Sequence, residues 1–263
     1  MFSHLTKELA AMGAGFLGVE KIIEKTTELF KESITLAVEE ERTRPENATL
    51  SSEQVANLMP AGSTMGRQYA MPNTAAGIDK DTSGLLVVAK TLPAQTFLVA
   101  ELSEKNVYRE YEAVVQGSLA SGGTINAPIG RHPSERVKMA VVGSGKPAVT
   151  HFRVIKRYRG MTHVRIELET GRTHQIRVHF AHKGHPLLGD PVYAGRPRLP
   201  KGASAELVNA LQSFPRQALH ARRLTLTHPV SYEQLSFESP LPNDFVQLLN
   251  ELDLDLKGGS PVN

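Results

Sequence analysis

Two carboxylates precede a short apolar run at residues 85–90. Asp79 and Asp81 lie in the segment GIDKDTSGLLVVAKT (77–91), directly ahead of that run. A carboxylate held at the start of a strand can act as a nucleophile or as a general base. An Asp in such a turn more often only accepts hydrogen bonds from its own backbone. From this segment alone both interpretations stay open.

A second segment, ETGRTHQIRVHFAHKGHPLLGDPVYAG (169–195), concentrates cationic and imidazole side chains. A metal site is one alternative, because three of the imidazoles could approach one side of a helix. Neutral imidazoles alone rarely complete a zinc site, and no Cys or suitably placed Glu joins them. Arginines on a helix are better suited to phosphate and carboxylate groups, since guanidinium forms bidentate charge-assisted bonds. The side chains concerned are Arg172, His174, Arg177, His179, His182 and His185.

A third segment, RQALHARRLTLTHP (216–229), is a basic loop that leads into a predicted strand. Its arginines, Arg222 and Arg223 among them, could contact phosphates of a nucleic acid. The segment could equally be an exposed lead-in to the strand. Taken by itself, it does not decide between the two.

The elements that must position these residues are mostly strands after Gly84. Helical spacing covers 93–104, and a helix that begins after Gly171 is predicted to stop at Gly184, with Pro186 beyond it. Dominant strands with isolated helices and hairpin-like turns predict an α+β fold with a largely antiparallel sheet. The strands are predicted at 108–117, 148–157, 163–169 and 224–227, with a weaker one at 234–238.

The first 75 residues differ from the rest of the chain in composition and in the spacing of apolar side chains. Residues 16–42 show approximate helical spacing of apolar side chains among charged ones, which predicts one amphipathic helix or two. Residues 43–75 are rich in Pro, Ser, Asn and Gly and are predicted to be a linker or irregular structure. Early charges at Lys7 and Glu8 do not suit a signal peptide, so a cytoplasmic location is expected.

Composition narrows the class of protein. The chain has 263 residues with 40% hydrophobic composition, which is enough for a sizeable core. The absence of cysteine excludes disulfides, thiolate catalysis and thiolate zinc sites. Residues 1–75 hold 7 Lys+Arg and 10 Asp+Glu, leaving 23 and 17 for the rest of the chain. The basic character therefore belongs to the later part and suits an acidic partner such as RNA, although a solvated cationic face is equally common.

Four short motifs run through these segments: AGIDKDTSG at 76–84, REY at 109–111, RTHQIR at 172–177 and ALHA at 218–221. In their order, spacing and residue types they resemble the motifs of the RluA-type pseudouridine synthases. These are RNA-modifying isomerases that detach a uracil base and reattach it through carbon. The resemblance covers about residues 77 to 250 and extends to the sequence GDPVYAG at 189–195.

The resemblance implies catalytic roles for three side chains. Asp79 would be the nucleophile or base, and Arg177 would pair with it and hold the carboxylate ionised and aimed. Tyr111 would stack on the uracil and could relay a proton. Whether Asp79 attacks the sugar C1′ or the base C6, or abstracts a sugar proton, stays open. The implied substrate-binding residues are Lys80, Arg131, Arg172, His174, Ile176 and Leu219, with Arg136, Lys138, Arg222 and Arg223 as further phosphate contacts.

The same resemblance implies a pseudouridine synthase fold, in which a mixed, mostly antiparallel sheet with flanking helices surrounds a central RNA-binding cleft. Residues 76–250 would form the catalytic domain and 251–263 a C-terminal tail. Residues 1–75 would be a divergent N-terminal segment without a recognisable S4 domain. The expected partner is RNA, in particular a stem-loop of large-subunit (23S) ribosomal RNA. A monomer without a metal, nucleotide or organic cofactor is expected.

One departure from the family pattern lies at Ala76 and Gly77, where the family has His and Arg. In the family that Arg fills the gap left by the flipped base, and flipping has an energetic cost. An alternative is therefore a catalytically impaired RNA-binding or ribosome-assembly protein with the same fold. The intact Asp79, Tyr111 and Arg177 favour the enzyme. A metal-dependent hydrolase built on the histidine cluster is a third hypothesis, and it would require bound metal.

Overall fold

The computed structural model describes residues 34–37, 79, 81–89, 91–135 and 137–258. Lys80, Arg136, Ala76 and Gly77 lie outside the described residues. The elements in the described part are β1 (Ile34–Ala37), β2 (Ser83–Gly84), β3 (Leu86–Ala89), α1 (Leu92–Ser103), β4 (Tyr108–Gln116), β5 (Gly123–Asn126), β6 (Ile129–Arg131), β7 (Met139–Val141), β8 (Val149–Tyr158), β9 (Met161–Leu168), α2 (Gln175–His182), α3 (Ala205–Ser213), β10 (Leu219–Thr227), β11 (Gln234–Glu238) and α4 (Asn243–Gly258).

A seven-stranded sheet dominates this structure. Its strands follow the order β11-β10-β4-β9-β8-β5, and β2 pairs with β10. The β2–β10 pairing is parallel, whereas the other pairings in the sheet are antiparallel. Strands β6 and β7 form a separate antiparallel hairpin. The predicted α+β fold with a mostly antiparallel sheet is confirmed.

Strand β4 lies at the centre of the sheet and is buried on both faces from residue 109 to residue 116. Because successive side chains of a strand point to opposite faces, β4 contributes to two cores. Tyr111 and Val115 pack with Phe180 of α2 on one face. Val114 packs with Phe245 of α4 on the other. The strand therefore presents Tyr111 on the face that α2 covers.

Helix α4 crosses position 250, where the sequence predicts the start of a tail. The helix continues to residue 258, and Leu252 belongs to the core beneath the sheet. The apolar spacing of Phe245, Leu248 and Leu252 explains this, because it places all three on one face of the helix. We propose that the catalytic domain extends to the end of α4.

The substitution Leu252→Ala is expected to lower the free energy of unfolding by about 2–5 kcal/mol, since a fully buried side chain leaves a cavity. Leu254→Ala is the matched control on the same helix, because Leu254 is 59% exposed. Chemical denaturation of both variants measures the difference. Equal stabilities would contradict the inclusion of residues 251–258 in the fold.

Two sequence-based boundaries differ from the structure. The helix predicted over 16–42 is wrong at Ile34–Ala37, which is a strand paired with β3. Its Ile and Thr are β-branched and suit a strand once a partner is available. The rest of 16–42 and the predicted linker at 43–75 lie outside the described residues. Strand β10 begins at Leu219 rather than at 224, because residues 219–221 of the ALHA motif pair with β4 ahead of a bulge. Across the described ranges, no helix is long and apolar enough to cross a membrane.

Candidate active site

A cleft of about 1040 Å³ opens on the α2 face of the sheet. Its walls come from α1, the β6–β7 hairpin, the loop between β9 and α2, and the ends of β4 and β10. The cleft brings together most of the residues that the motifs single out. Those that line it are Asp79, Tyr111, Arg131, Arg172, Ile176 and Leu219.

The Asp79 carboxylate faces this cleft at the start of a tight turn. The backbone N–H of Thr82 donates to the Asp79 carbonyl at 3.0 Å, and Asp81 takes a left-handed φ of 67°. The turn leads directly into β2, which β10 holds in place. The Asp79 side chain is partly buried and lies 3.5 Å from Nη1 of the buried Arg177, measured at Oδ2.

Asp190 is the closer partner of Arg177, although the sequence analysis predicted no role for it. Nε and Nη2 of Arg177 donate to its two carboxylate oxygens at 2.7 and 2.9 Å. Asp190 is fully buried and also accepts from the backbone N–H groups of Val192 and Tyr193. This bidentate pair fixes the guanidinium, and its remaining Nη1 is the atom directed at Asp79.

The Arg177–Asp190 pair stays ionised in spite of its burial. Burial by itself lowers the pKa of Arg177, but the hydrogen bond and charge of Asp190, with Asp79 adding to them, raise it above its ordinary value. Burial raises the pKa of Asp190, and the hydrogen bond and charge of Arg177 outweigh this and hold that pKa below its usual range. Arg177 is thus a permanent cation beside Asp79.

Tyr193 is a second residue that the motifs did not assign. The guanidinium carbon of Arg177 lies 5.0 Å from the centre of its ring. Its hydroxyl accepts from the backbone N–H of Met139 at 3.0 Å and shares a hydrogen bond of 2.8 Å with Nδ1 of His174. Tyr193 therefore links the β6–β7 hairpin to Arg177. Asp190 and Tyr193 both belong to the GDPVYAG sequence, and this motif was the signal in the sequence that could have identified them.

His174 lies behind this group and does not line the cleft. It precedes α2 with a left-handed φ of 56°. Burial lowers its pKa, the charge of Asp79 opposes that shift, and the imidazole stays neutral near pH 7. Its hydrogen bond with Tyr193 places it next to a residue that contacts Arg177, and the substrate contact implied by the resemblance stays a prediction.

Tyr111, Ile176 and Leu219 form the apolar part of the cleft. All three are buried and belong to one core cluster. Burial raises the pKa of Tyr111, and Asp79 raises it further against the effect of Arg109, so the phenol is protonated at neutral pH. An aromatic ring flanked by two aliphatic side chains can hold a planar base.

The cationic residues divide between the cleft and the rest of the surface. Arg172 lies at the cleft, where its Nε donates to the Pro147 carbonyl at 3.0 Å, and Arg131 of β6 lies nearby. Gln175 anchors this loop, because its Oε1 accepts from the backbone N–H of Arg172 and its Nε2 donates to the Val149 carbonyl. Three further cations do not line the cleft. Lys138 pairs with Glu135, Arg223 pairs with Glu238, and Arg222 lies near Glu112.

Two histidines of the cluster, His179 and His185, have hydrogen-bond partners within the protein. Burial lowers the pKa of His179, whose ring nitrogens lie 2.9 Å from Thr150 Oγ1 and 3.0 Å from the Ala127 carbonyl. Nδ1 of His185 lies 2.9 Å from the Gln116 carbonyl. In the portion of the chain that is described, no group of three His, Asp or Glu side chains is arranged to hold a metal ion.

Known proteins share this fold and much of this sequence. Residues 61–182 match the family model described as RNA pseudouridylate synthase. The ribosomal large subunit pseudouridine synthase D of Pseudomonas aeruginosa is 61% identical over 178 residues, which are 68% of this chain and 56% of that protein. The protein of the same name from Escherichia coli is 54% identical over 180 residues, which are 68% and 55% of the two chains.

Solved structures agree with the sequence matches. Human RNA Pseudouridylate Synthase Domain Containing 1 is 29% identical, with a TM-score of 0.51, over 67% of this chain and 73% of that one. Human RNA Pseudouridylate Synthase Domain Containing 4 has the same fold, with a TM-score of 0.58 at 21% identity, over 89% and 98%. The chain belongs to the RNA pseudouridylate synthase family. It spans about half the length of the curated relatives that it matches.

Proposed function

We propose that this chain is a pseudouridine synthase that isomerises uridine to pseudouridine in large-subunit ribosomal RNA. The observation that carries the proposal is the Asp79 carboxylate, which faces the cleft beside Tyr111 and lies 3.5 Å from a buried arginine. The sequence match to synthases of the large ribosomal subunit supports the choice of RNA. The work of such an enzyme is to position one nucleoside against one carboxylate.

The reaction needs one bond broken and one formed. The bond between N1 of uracil and C1′ of the ribose breaks, the base turns, and C5 bonds to C1′. The C5 hydrogen leaves as a proton and N1 gains one, so no atom is added and no electron is transferred. The residues of the cleft suffice for this balance, and we propose no metal or organic cofactor.

Each catalytic residue has a proposed part. Asp79 acts as nucleophile or base, and Arg177 supplies a fixed positive charge beside it in the geometry that Asp190 fixes. Tyr111 stacks on the uracil, and Ile176 and Leu219 exclude water around the ring. Because the phenol of Tyr111 is protonated, it can donate or relay a proton.

The RNA strand would approach from the side of the β6–β7 hairpin. Arg131 and Arg172 lie at the cleft there and would contact phosphates, with Lys80 as a third proposed contact from the catalytic motif. We further propose that the protein acts as a monomer in the cytoplasm. The alternative of a non-catalytic RNA-binding protein is not favoured, because Asp79 and Tyr111 both line the cleft and the buried Arg177 lies 3.5 Å from the Asp79 carboxylate.

The test is to incubate the protein with unmodified large-subunit ribosomal RNA, transcribed in vitro, and to map pseudouridine chemically. We expect pseudouridine at one or a few discrete uridines, and none at them after incubation without protein. Unmodified RNA after prolonged incubation with a folded protein that binds it would support the non-catalytic alternative instead.

A further inference from the structure

Arg109 is a cation in the cleft with no counter-ion among the described residues. It lies on β4 two positions before Tyr111, so both side chains point to the same face of the sheet. Arg109 is 6% exposed and lines the cleft together with Asp79. Its Nε is buried and has no hydrogen-bond partner in the part of the chain that the structure describes.

This environment is unfavourable for a guanidinium and contrasts with that of Arg177, which is held by Asp190. Burial lowers the pKa of Arg109, and among the described residues only Tyr111 opposes this shift. Buried charges are normally paired, because removing them from water is costly. A buried polar group that stays unpaired in a folded protein calls for an explanation, and a ligand that supplies the missing charge is one.

Gly171 makes room for the Arg109 side chain. A Cβ atom at position 171 would lie 2.5 Å from Nη1 of Arg109. Gly171 belongs to the loop between β9 and α2 and also lines the cleft. The guanidinium is therefore held between β4 and a side-chain-free stretch of that loop, at the wall of the cavity.

We propose that Arg109 forms a phosphate subsite, in which its guanidinium binds a backbone phosphate next to the nucleotide whose base lies on Tyr111. The inference rests on the proposed function, since it takes RNA as the ligand. Two residues along a strand span about 7 Å, so Arg109 is within reach of a phosphate flanking that nucleotide. Aromatic platforms combined with a cationic track for the backbone are the usual means of binding single strands. Guanidinium and phosphate pair in a bidentate manner.

The test measures the affinity of the full chain for a fluorescent single-stranded RNA oligonucleotide containing uridine, across a series of KCl concentrations. Arg109→Met should weaken binding about tenfold at low salt, as loss of one charged hydrogen-bonded contact does. It should also reduce the slope of log affinity against log salt by about 0.7, the value for one phosphate contact on a single strand. Arg109→Lys should restore the slope. Arg153→Met is the matched control, because Arg153 is exposed on β8 outside the cleft, and it should leave both quantities unchanged.

A second variant displaces the charge without removing it. Gly171→Ala should push aside the guanidinium, which is the flexible end of its side chain, and weaken RNA binding while the protein remains folded. Wild-type affinity for this variant would contradict the position assigned to Arg109.

Thermal stability separates a ligand-binding role from a structural one. Because Arg109 has no protein counter-ion in the described ranges, Arg109→Met should have a Tm equal to or above that of the wild type. A lower Tm, an unfolded variant, or a salt slope equal to that of the wild type would overturn the proposal. The binding measurement does not depend on turnover. If the wild type binds RNA but forms no pseudouridine, the proposed function is contradicted. The salt dependence of binding still tests the Arg109 subsite in that case.

Discussion

Asp79→Asn is expected to abolish isomerisation while the fold and RNA binding stay nearly intact. The substitution removes the charge and nucleophilicity of a partly buried carboxylate but changes little volume. Turnover should fall by at least about a thousand-fold, on the scale of other nucleophile substitutions. Single-turnover formation of pseudouridine in RNA measures the change.

Asp81→Asn is the matched control for this variant. Asp81 lies in the same turn with a left-handed φ of 67°, which Asn tolerates. Its activity should remain within about twofold of the wild type, because Asp81 does not line the cleft. The assignment of Asp79 as the catalytic carboxylate would be contradicted if Asp79→Asn kept more than about a tenth of wild-type turnover. Such a result would correspond to a change in the activation barrier of less than about 1.4 kcal/mol.

Asp190→Asn is expected to impair both stability and activity. It leaves the Arg177 guanidinium buried without its closest counter-charge, which should lower the free energy of unfolding by about 3–5 kcal/mol. The guanidinium should also lose its fixed orientation toward Asp79, and a misplacement of about 1 Å can cost about a hundred-fold in rate. Denaturation and single-turnover kinetics measure the two effects separately.

The pH dependence of stability gives a further readout for the same variant. The pKa of Asp190 in the folded protein lies below its unfolded value, because Arg177 holds the carboxylate ionised. The pair therefore stabilises the fold above the unfolded pKa, and this contribution disappears as the pH falls through the folded pKa. Asp190→Asn should lack this part of the acid transition.

The double variant Arg177→Met with Asp190→Asn separates structure from catalysis. Removing both charges should recover much of the stability that Asp190→Asn loses, because no uncompensated charge remains buried. Activity should stay low, since Asp79 then loses the cation that lies 3.5 Å from its carboxylate. A double variant that regains activity would contradict the role assigned to Arg177.

The sequence predicted those parts of the fold that depend on local periodicity. The predicted bounds of strand β4, which ends before Gly117, agree with the structure within a residue or two. The same holds for the helix that stops before Gly184. Their patterns are set by neighbours along the chain, which a sequence displays directly. Strand β10 was predicted too short, because its first residues are defined by pairing with β4 and β2 and not by their own alternation.

The Arg177–Asp190 pair illustrates what the sequence could not show. Arg177 was expected to pair with Asp79, and its Nη1 does lie 3.5 Å from that carboxylate. Its Nε and Nη2 bind Asp190, which was not predicted. Asp190 follows Gly189, whose φ of 70° suits glycine, and a Cβ there would lie 2.0 Å from the Arg216 carbonyl. This close approach to a distant segment turns the chain back toward α2. Such a contact is tertiary, so spacing along the chain does not reveal it.

Release of tritium from RNA labelled at C5 of uridine tests the central claim most directly. When C5 bonds to C1′, its hydrogen passes to water, so each isomerisation releases one label. The account predicts that the wild-type chain releases tritium in step with the pseudouridine formed, and that Asp79→Asn releases none. Tritium release by the wild type no greater than that by Asp79→Asn would contradict it.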